Sequence, residues 1–274
     1  MFSSSELLRY LAEDDTDMIK KKIKVLGIIP ARWGSTRFPG KSLAPLCGRP
    51  LIQWVIERAQ MAKALDKLVV ATDDRRIAAA AENCGVEAVM TSADHPSGTD
   101  RAAEAAGKYA ADIIVNIQGD EPTIDPELIN KLVYIMRTEK KWDMATAAAP
   151  INSFKEAEQP SICKVVFDAG GQALYFSRCP IPFIREKTFS INKIVFWRHI
   201  GLYLYRNKFL ARFVAEPPCL LESAECLEQL RALHIGARIK VVQTSECGIG
   251  VDTPADIAAA EAALKLVKRK RGSR

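Results

Sequence analysis

From Ile23 to Ala148 the chain alternates short apolar runs with helical patterns across short connections, and this restricts the fold more than any other feature. The runs Ile23–Pro30, Lys67–Ala71, Val86–Met90, Asp112–Ile117 and Met144–Ala148 have strand length. Those that are continuously apolar read as strands buried on both faces. Between them, Pro50–Ala64, Arg75–Cys84, Asp100–Ala111 and Pro126–Thr138 read as helices. Such an order predicts an α/β fold with a Rossmann-like, doubly wound, mostly parallel sheet covered on both faces. After Pro150 the pattern changes. Ser161–Phe167, Gly171–Phe176 and Arg198–Arg206 read as strands of an antiparallel β insertion, with a turn at Ala169-Gly170-Gly171. A helix over Leu221–Leu233, a strand over Ile239–Gln243 and a final helix over Pro254–Lys268 complete the chain. The expected organisation is an N-terminal extension (1–22), one domain (23–264) containing the insertion (150–206), and a basic tail (265–274).

Composition narrows the function classes. No apolar stretch is long enough to cross a bilayer, and the N-terminal segment lacks the continuous apolar region of an export signal, so a cytoplasmic chain is expected. The seven cysteines form no CxxC pair and read as reduced thiols. The net charge of +6 owes part of its excess to Lys265, Lys268, Arg269, Lys270, Arg271 and Arg274. Cations suit a helix C-terminus, so that tail predicts no nucleic-acid partner. The remaining excess suits anionic small molecules.

The loop after the first strand, Pro30-Ala31-Arg32-Trp33-Gly34-Ser35-Thr36-Arg37-Phe38-Pro39-Gly40-Lys41, lies where ligands sit in open α/β sheets, beyond a strand's carboxyl end. Arg32, Arg37 and Lys41 supply cations, Ser35 and Thr36 supply hydroxyls, and Gly34 and Gly40 permit close backbone approach to an anion. The spacing matches neither a Walker loop nor GxGxxG. Asp120 follows the strand Asp112–Ile117 and falls at the same edge. Further on, Thr253, Pro254 and Asp256 have the spacing of a capping box, which leaves the Asp252 carboxylate available. On local grounds two readings stay open for each aspartate: Mg²⁺ ligand, or turn residue for Asp120 and helix-start charge for Asp252.

The loop resembles the signature of sugar-nucleotide cytidylyltransferases. Three further blocks, Ser97-Gly98-Thr99-Asp100-Arg101, Val115-Asn116-Ile117-Gln118-Gly119-Asp120-Glu121-Pro122 and Ala173-Leu174-Tyr175-Phe176-Ser177-Arg178, resemble the CMP-KDO synthetase (3-deoxy-manno-octulosonate cytidylyltransferase) family. So do His199-Ile200-Gly201-Leu202-Tyr203 and Leu227-Glu228-Gln229-Leu230-Arg231. The likeness runs in order from about Ile23 to Leu264. It implies transfer of CMP from CTP to the anomeric hydroxyl of 3-deoxy-D-manno-octulosonate (KDO), for lipopolysaccharide synthesis. Arg32, Lys41, Asp120 and Asp252 would be catalytic, with Mg²⁺ on Asp120 and Asp252. Arg32, Gly34, Ser35, Lys41, Arg101, Gln118 and Asp120 would bind nucleotide. Arg178, His199, Tyr203, Glu228 and Gln229 would bind the sugar acid, and the insertion would form a homodimer. Residue chemistry alone leaves His199 open as a structural histidine, and Glu228 and Gln229 as helix-surface residues. Rivals are a cytidylyltransferase for another acidic sugar (8-amino KDO, sialic acid) and a non-catalytic nucleotide-sugar-binding protein. Cys163 in Ser161-Ile162-Cys163-Lys164 replaces an aliphatic residue of the family pattern, which reads as neutral variation.

Overall fold

The computed structural model describes residues 24–35, 37–185, 196–245 and 248–272. The expected N-terminal extension, Thr36 and the side chains of the basic tail beyond Leu266 lie outside them. The strands are β1 (Val25–Ala31), β2 (Lys67–Thr72), β3 (Glu87–Met90), β4 (Ile113–Asn116), β5 (Met144–Ile151), β6 (Lys164–Phe167), β7 (Ala173–Ser177), β8 (Phe196–Arg206) and β9 (Ile239–Gln243). The helices are α1 (Leu51–Gln60), α2 (Arg75–Glu82), α3 (Gly98–Ala106), α4 (Pro126–Thr138), α5 (Asn207–Ala215), α6 (Leu220–Glu225), α7 (Gln229–His234) and α8 (Ile257–Gly272).

One sheet runs β9-β5-β8-β4-β1-β2-β3. Pairs β1–β2, β1–β4, β2–β3 and β5–β9 are parallel. The expected parallel α/β sheet is therefore present. Its exception is β8, antiparallel to both β4 and β5 in the middle of the sheet. Arg198–Arg206, expected within the antiparallel insertion, is antiparallel as expected but belongs to the middle of the main sheet. Only the start of β8 reaches the hairpin β6–β7, through Arg198 opposite Lys164. Leu202 and Leu204 sit at 1% and 0% exposure, as a strand seated between two others requires.

Alternation along β1 shows how the sheet is covered. Val25 and Ile29 pack into a core layer with α1, α2, α4 and α8, while Leu26 and Ile28 face the opposite layer with α3, α5 and α7. Helix starts follow local chemistry. Asp74, Ser97 and Asp125 accept first-turn backbone N–H groups of α2, α3 and α4, and Pro126 opens α4. The single helix expected over Leu221–Leu233 is two, broken where Cys226 adopts φ 51. No glycine or proline marks that break in the sequence. The six described cysteines are free thiols, and among the described residues no helix is long and apolar enough to cross a membrane.

Candidate active site

The C-terminal ends of β1 and β4 open into one cleft. The loop after β1 turns sharply there, held by Trp33. Its carbonyl accepts from Ser35 N at 2.9 Å and Gly40 N at 3.0 Å, and its N–H donates to Asp73 Oδ1 at 3.2 Å. The Arg76 guanidinium lies 3.4 Å from the Trp33 ring centroid, and Asp74 holds Arg76 by a forked pair at 3.0 and 2.6 Å. Gly40 has φ +68, and a Cβ there would lie 2.8 Å from the indole. Its N–H is spent on Trp33, so Gly40 serves the turn rather than meeting an anion. The cleft is walled by Arg32, Ser35, Arg37, Lys41, Gln118 and Asp120, with Gly98 at the start of α3. Arg32 is exposed there.

Gly34 and Arg101, both expected at the nucleotide, differ in their surroundings. Gly34 is exposed, and a Cβ on it would meet nothing within 4 Å, so no protein neighbour requires glycine there. Arg101 borders the cleft but is 2% exposed, with its guanidinium committed to Thr91 Oγ1 and, at 3.0 Å, to Asp73 Oδ2. It supports the loop through Asp73. Burial of a paired guanidinium is tolerable only with such partners.

The two distant aspartates converge. Lys41 Nζ donates to Asp120 Oδ2 at 2.6 Å and to Asp252 Oδ1 at 3.3 Å, while Arg37 Nη2 reaches Asp252 Oδ1 at 3.0 Å. Val251 N also bonds Asp120 O at 2.9 Å, which ties the two segments together. Asp256 Oδ2 accepts the backbone N–H groups of Asp252 and Thr253 and completes the expected capping box. Helix capping is thus the task of Asp256, and the Asp252 carboxylate faces the cleft. Glu121, next in the chain, is pushed up to about 8, first by burial and then by the charges of Asp120 and Asp252, and its Oε2 is buried without a hydrogen-bond partner.

Gly119 brings the Asp120 segment against β1. A Cβ there would lie 2.7 Å from the Pro30 carbonyl oxygen. Gly119→Ala is expected to cost about 1–3 kcal/mol, and thermal melting should fall by several degrees. An unchanged melting temperature would show that β1 and this loop are not packed as described.

A second cleft adjoins the first and contains all five residues expected at a sugar acid: Arg178, His199, Tyr203, Glu228 and Gln229. Gln118 and Asp252 border both clefts. Gln229 is buried and its Oε1 accepts from Tyr203 OH at 3.0 Å, while its Nε2 lies 3.5 Å from Cys163 Sγ. Burial pushes that thiol up to about 12, so it stays protonated. Burial also raises Glu228, against hydrogen bonds from Thr99 and Ser97. Arg178 is more constrained than expected. Its guanidinium donates to three backbone carbonyls, of Glu225 (2.6 Å), Pro160 (2.9 Å) and Cys226 (3.2 Å), which leaves two of its five N–H donors for a ligand.

His199 Nε2 sits 2.9 Å from Thr146 Oγ1, and the ring packs against Phe176 and Tyr203. Burial lowers its pKa to about 3, so it is neutral at physiological pH. The unfolded chain binds this proton below pH ~6.5 and the folded one does not. His199 therefore removes stability as pH falls from 6.5 toward about 3. His199→Gln should flatten that part of the stability curve in denaturant titrations; a slope equal to wild type would contradict a neutral, buried imidazole.

Comparison with known proteins places this geometry. A family model described as cytidylyltransferase matches residues 26–239. The 3-deoxy-manno-octulosonate cytidylyltransferase of Bdellovibrio bacteriovorus is 49% identical over 245 residues, covering 88% of this chain and 98% of its own. The chain belongs to the 3-deoxy-manno-octulosonate cytidylyltransferase family. The Geobacter sulfurreducens cytidylyltransferase is 47% identical over 242 residues, 86% of this chain and 97% of that one. A solved CMP:2-keto-3-deoxy-manno-octonic acid synthetase complexed with CTP superposes with TM-score 0.83 at 42% identity, covering 89% of this chain and 99% of the other.

Several working residues of this cytidylyltransferase escaped the sequence reading. Asp73 follows β2 as Asp120 follows β4, so the strand-end rule that found Asp120 applied equally to Asp73. Thr146, which holds His199, and Glu225, which accepts from Ser177 Oγ at 2.7 Å and Arg178 N at 2.8 Å, lie in segments without a motif of their own.

Proposed function

We propose that the chain transfers CMP from CTP to the anomeric hydroxyl of KDO, giving CMP-KDO and pyrophosphate. The observation that carries this is the meeting of Asp120 and Asp252 at one ammonium, between a cationic loop and the cleft holding Arg178, His199, Tyr203, Glu228 and Gln229. Its family membership gives the same reading.

The residues present fit Mg²⁺. Both aspartates already share a cation, the Lys41 ammonium. Among the described residues no group of three acidic, histidine or cysteine side chains could hold a metal ion by itself, and Mg²⁺ takes one or two carboxylates plus substrate phosphates. When bound, the ion supplies charge to the phosphate oxygens and acidifies a hydroxyl it contacts. Arg32 and Lys41 neutralise and orient the phosphates, with Ser35 as a hydroxyl donor. Arg178 presents its remaining N–H groups to the sugar carboxylate, and Tyr203, Gln229 and Glu228 orient its hydroxyls. The anomeric oxygen attacks the α-phosphorus, and the bond from that phosphorus to the bridging oxygen breaks. Pyrophosphate leaves with the electron pair, and the hydroxyl proton passes to solvent. Catalysis of this kind rests on positioning and charge neutralisation. His199, held near 3, is too weak to serve as the base and acts as a fixed neutral partner in the cleft.

Exposed apolar side chains at Leu174 (58%) and Phe183 (87%), both within the insertion 150–206, support a homodimer formed by that segment. Sedimentation should give a dimer whose dissociation follows Phe183→Glu. The decisive assay is a panel of acidic sugars with CTP and Mg²⁺, scored by pyrophosphate release. KDO should give the highest kcat/KM. Preference for an 8-amino sugar or sialic acid would replace the substrate, and release with none would reduce the chain to a binding protein.

A further inference from the structure

Lys41 has two tasks that it cannot perform at once. In the mechanism above its ammonium meets phosphate. Here the same ammonium lies 2.6 Å from Asp120 Oδ2 and 3.3 Å from Asp252 Oδ1, where a divalent ion shared by those carboxylates would sit. We propose that Lys41 is an internal counter-cation that closes the metal position until a triphosphate draws it away, so that metal enters with or after the nucleotide and not before it. This rests on the reading of Asp120 and Asp252 as metal ligands.

Three observations carry it. First, the two carboxylates come from distant segments and would repel each other without a cation between them. Lys41 supplies that cation, and Arg37 adds a second at Asp252 Oδ1. Second, the Lys41 side chain is only 15% exposed and that of Asp120 27%, so solvent and salt screen the ammonium weakly against an incoming metal ion. Third, the backbone at Lys41 is fixed, and only rotation about side-chain bonds is needed to move its ammonium. Lys41 N donates to Phe38 O at 3.1 Å, a 3₁₀ turn spans Lys41–Leu43, and Gly40 is pinned under Trp33. The ammonium is a compact charge on a flexible stem, so rotation about side-chain bonds moves it from the aspartates into the phosphate cleft that it also lines. Arrival of a triphosphate brings the negative charge that attracts Lys41. Its departure uncovers two carboxylates for a divalent ion. The exchange couples the two ligands reciprocally: nucleotide tightens metal, and metal tightens nucleotide.

Mn²⁺ binding by electron paramagnetic resonance on the full chain, first without nucleotide, tests this. Wild type should bind Mn²⁺ weakly, and Lys41→Met should bind it at least about tenfold more tightly because the like charge is gone. Asp252→Asn on the Lys41→Met background should abolish the gain. Lys41→Gln gives the same comparison should the Met variant not fold. Wild type binding Mn²⁺ as tightly as either Lys41 variant overturns the proposal, and so does a gain that survives Asp252→Asn. The metal reading is tested separately. CTP-loaded wild type should bind Mn²⁺ more tightly than CTP-loaded Asp252→Asn, and equality there removes Asp252 as a ligand whatever Lys41 does.

Discussion

Asp252→Asn is expected to lower kcat by about a thousandfold or more, the scale at which loss of preorganised charge at a phosphoryl centre is felt, while CTP still binds. The amide keeps the shape of the side chain and removes its charge. The capping box survives, because Asp256 and not Asp252 accepts the helix-start N–H groups. Arg32 still lines the cleft, and Lys41 and Arg37, relieved of one carboxylate, remain available to an anion there. The loss therefore falls on the chemical step. Single-turnover rates and calorimetric CTP binding separate the two quantities. Wild-type turnover in the variant would remove Asp252 from the mechanism, and failure to bind CTP with turnover lost in proportion would make it a nucleotide residue.

Arg178→Ala is expected to raise KM for KDO by roughly 10- to 100-fold, the scale of a charge-assisted hydrogen bond, with KM for CTP unchanged. The side chain also ties three backbone carbonyls, of Glu225, Pro160 and Cys226, so a drop in melting temperature should accompany the kinetic change. Arg178→Lys distinguishes the two roles. A lysine keeps a point charge for the sugar carboxylate but cannot hold three carbonyls in that fork. It should recover part of the KM for KDO and little of the stability. Equal damage to the KM values of CTP and KDO would make Arg178 a structural clamp alone.

Sequence pattern located the strands and helices well where period and punctuation agree. Helix α4 begins at Pro126 and ends at Thr138 as expected, because Asp125 and Pro126 are strong start signals and its apolar face repeats cleanly. What pattern could not supply was neighbourhood. β8 has the apolar character of a buried strand, but nothing in its residues states that it lies between β4 and β5, since periodicity reports which face is covered and not which strand is adjacent. The break at Cys226 was hidden because a left-handed residue other than glycine leaves no local signal.

The site was legible in a similar way. Charge and strand-end position pointed to Arg32, Lys41 and Asp120, and the unused carboxylate beside a capping box pointed to Asp252. The supports of these groups were not legible. That Arg101 is held by Asp73, and that Arg178 spends three donors on main chain, depend on packing between segments far apart in the chain.

The claim on which the account stands is that Asp120 and Asp252 share one metal ion on the nucleotide triphosphate. The most direct test is a crystal structure with CTP and Mn²⁺, read by the anomalous signal of the metal. The account predicts a peak about 2.1 Å from a carboxylate oxygen of each aspartate and from phosphate oxygens, with Lys41 Nζ moved onto the phosphates. A metal held by phosphates alone, with Lys41 still between the two carboxylates, would contradict it.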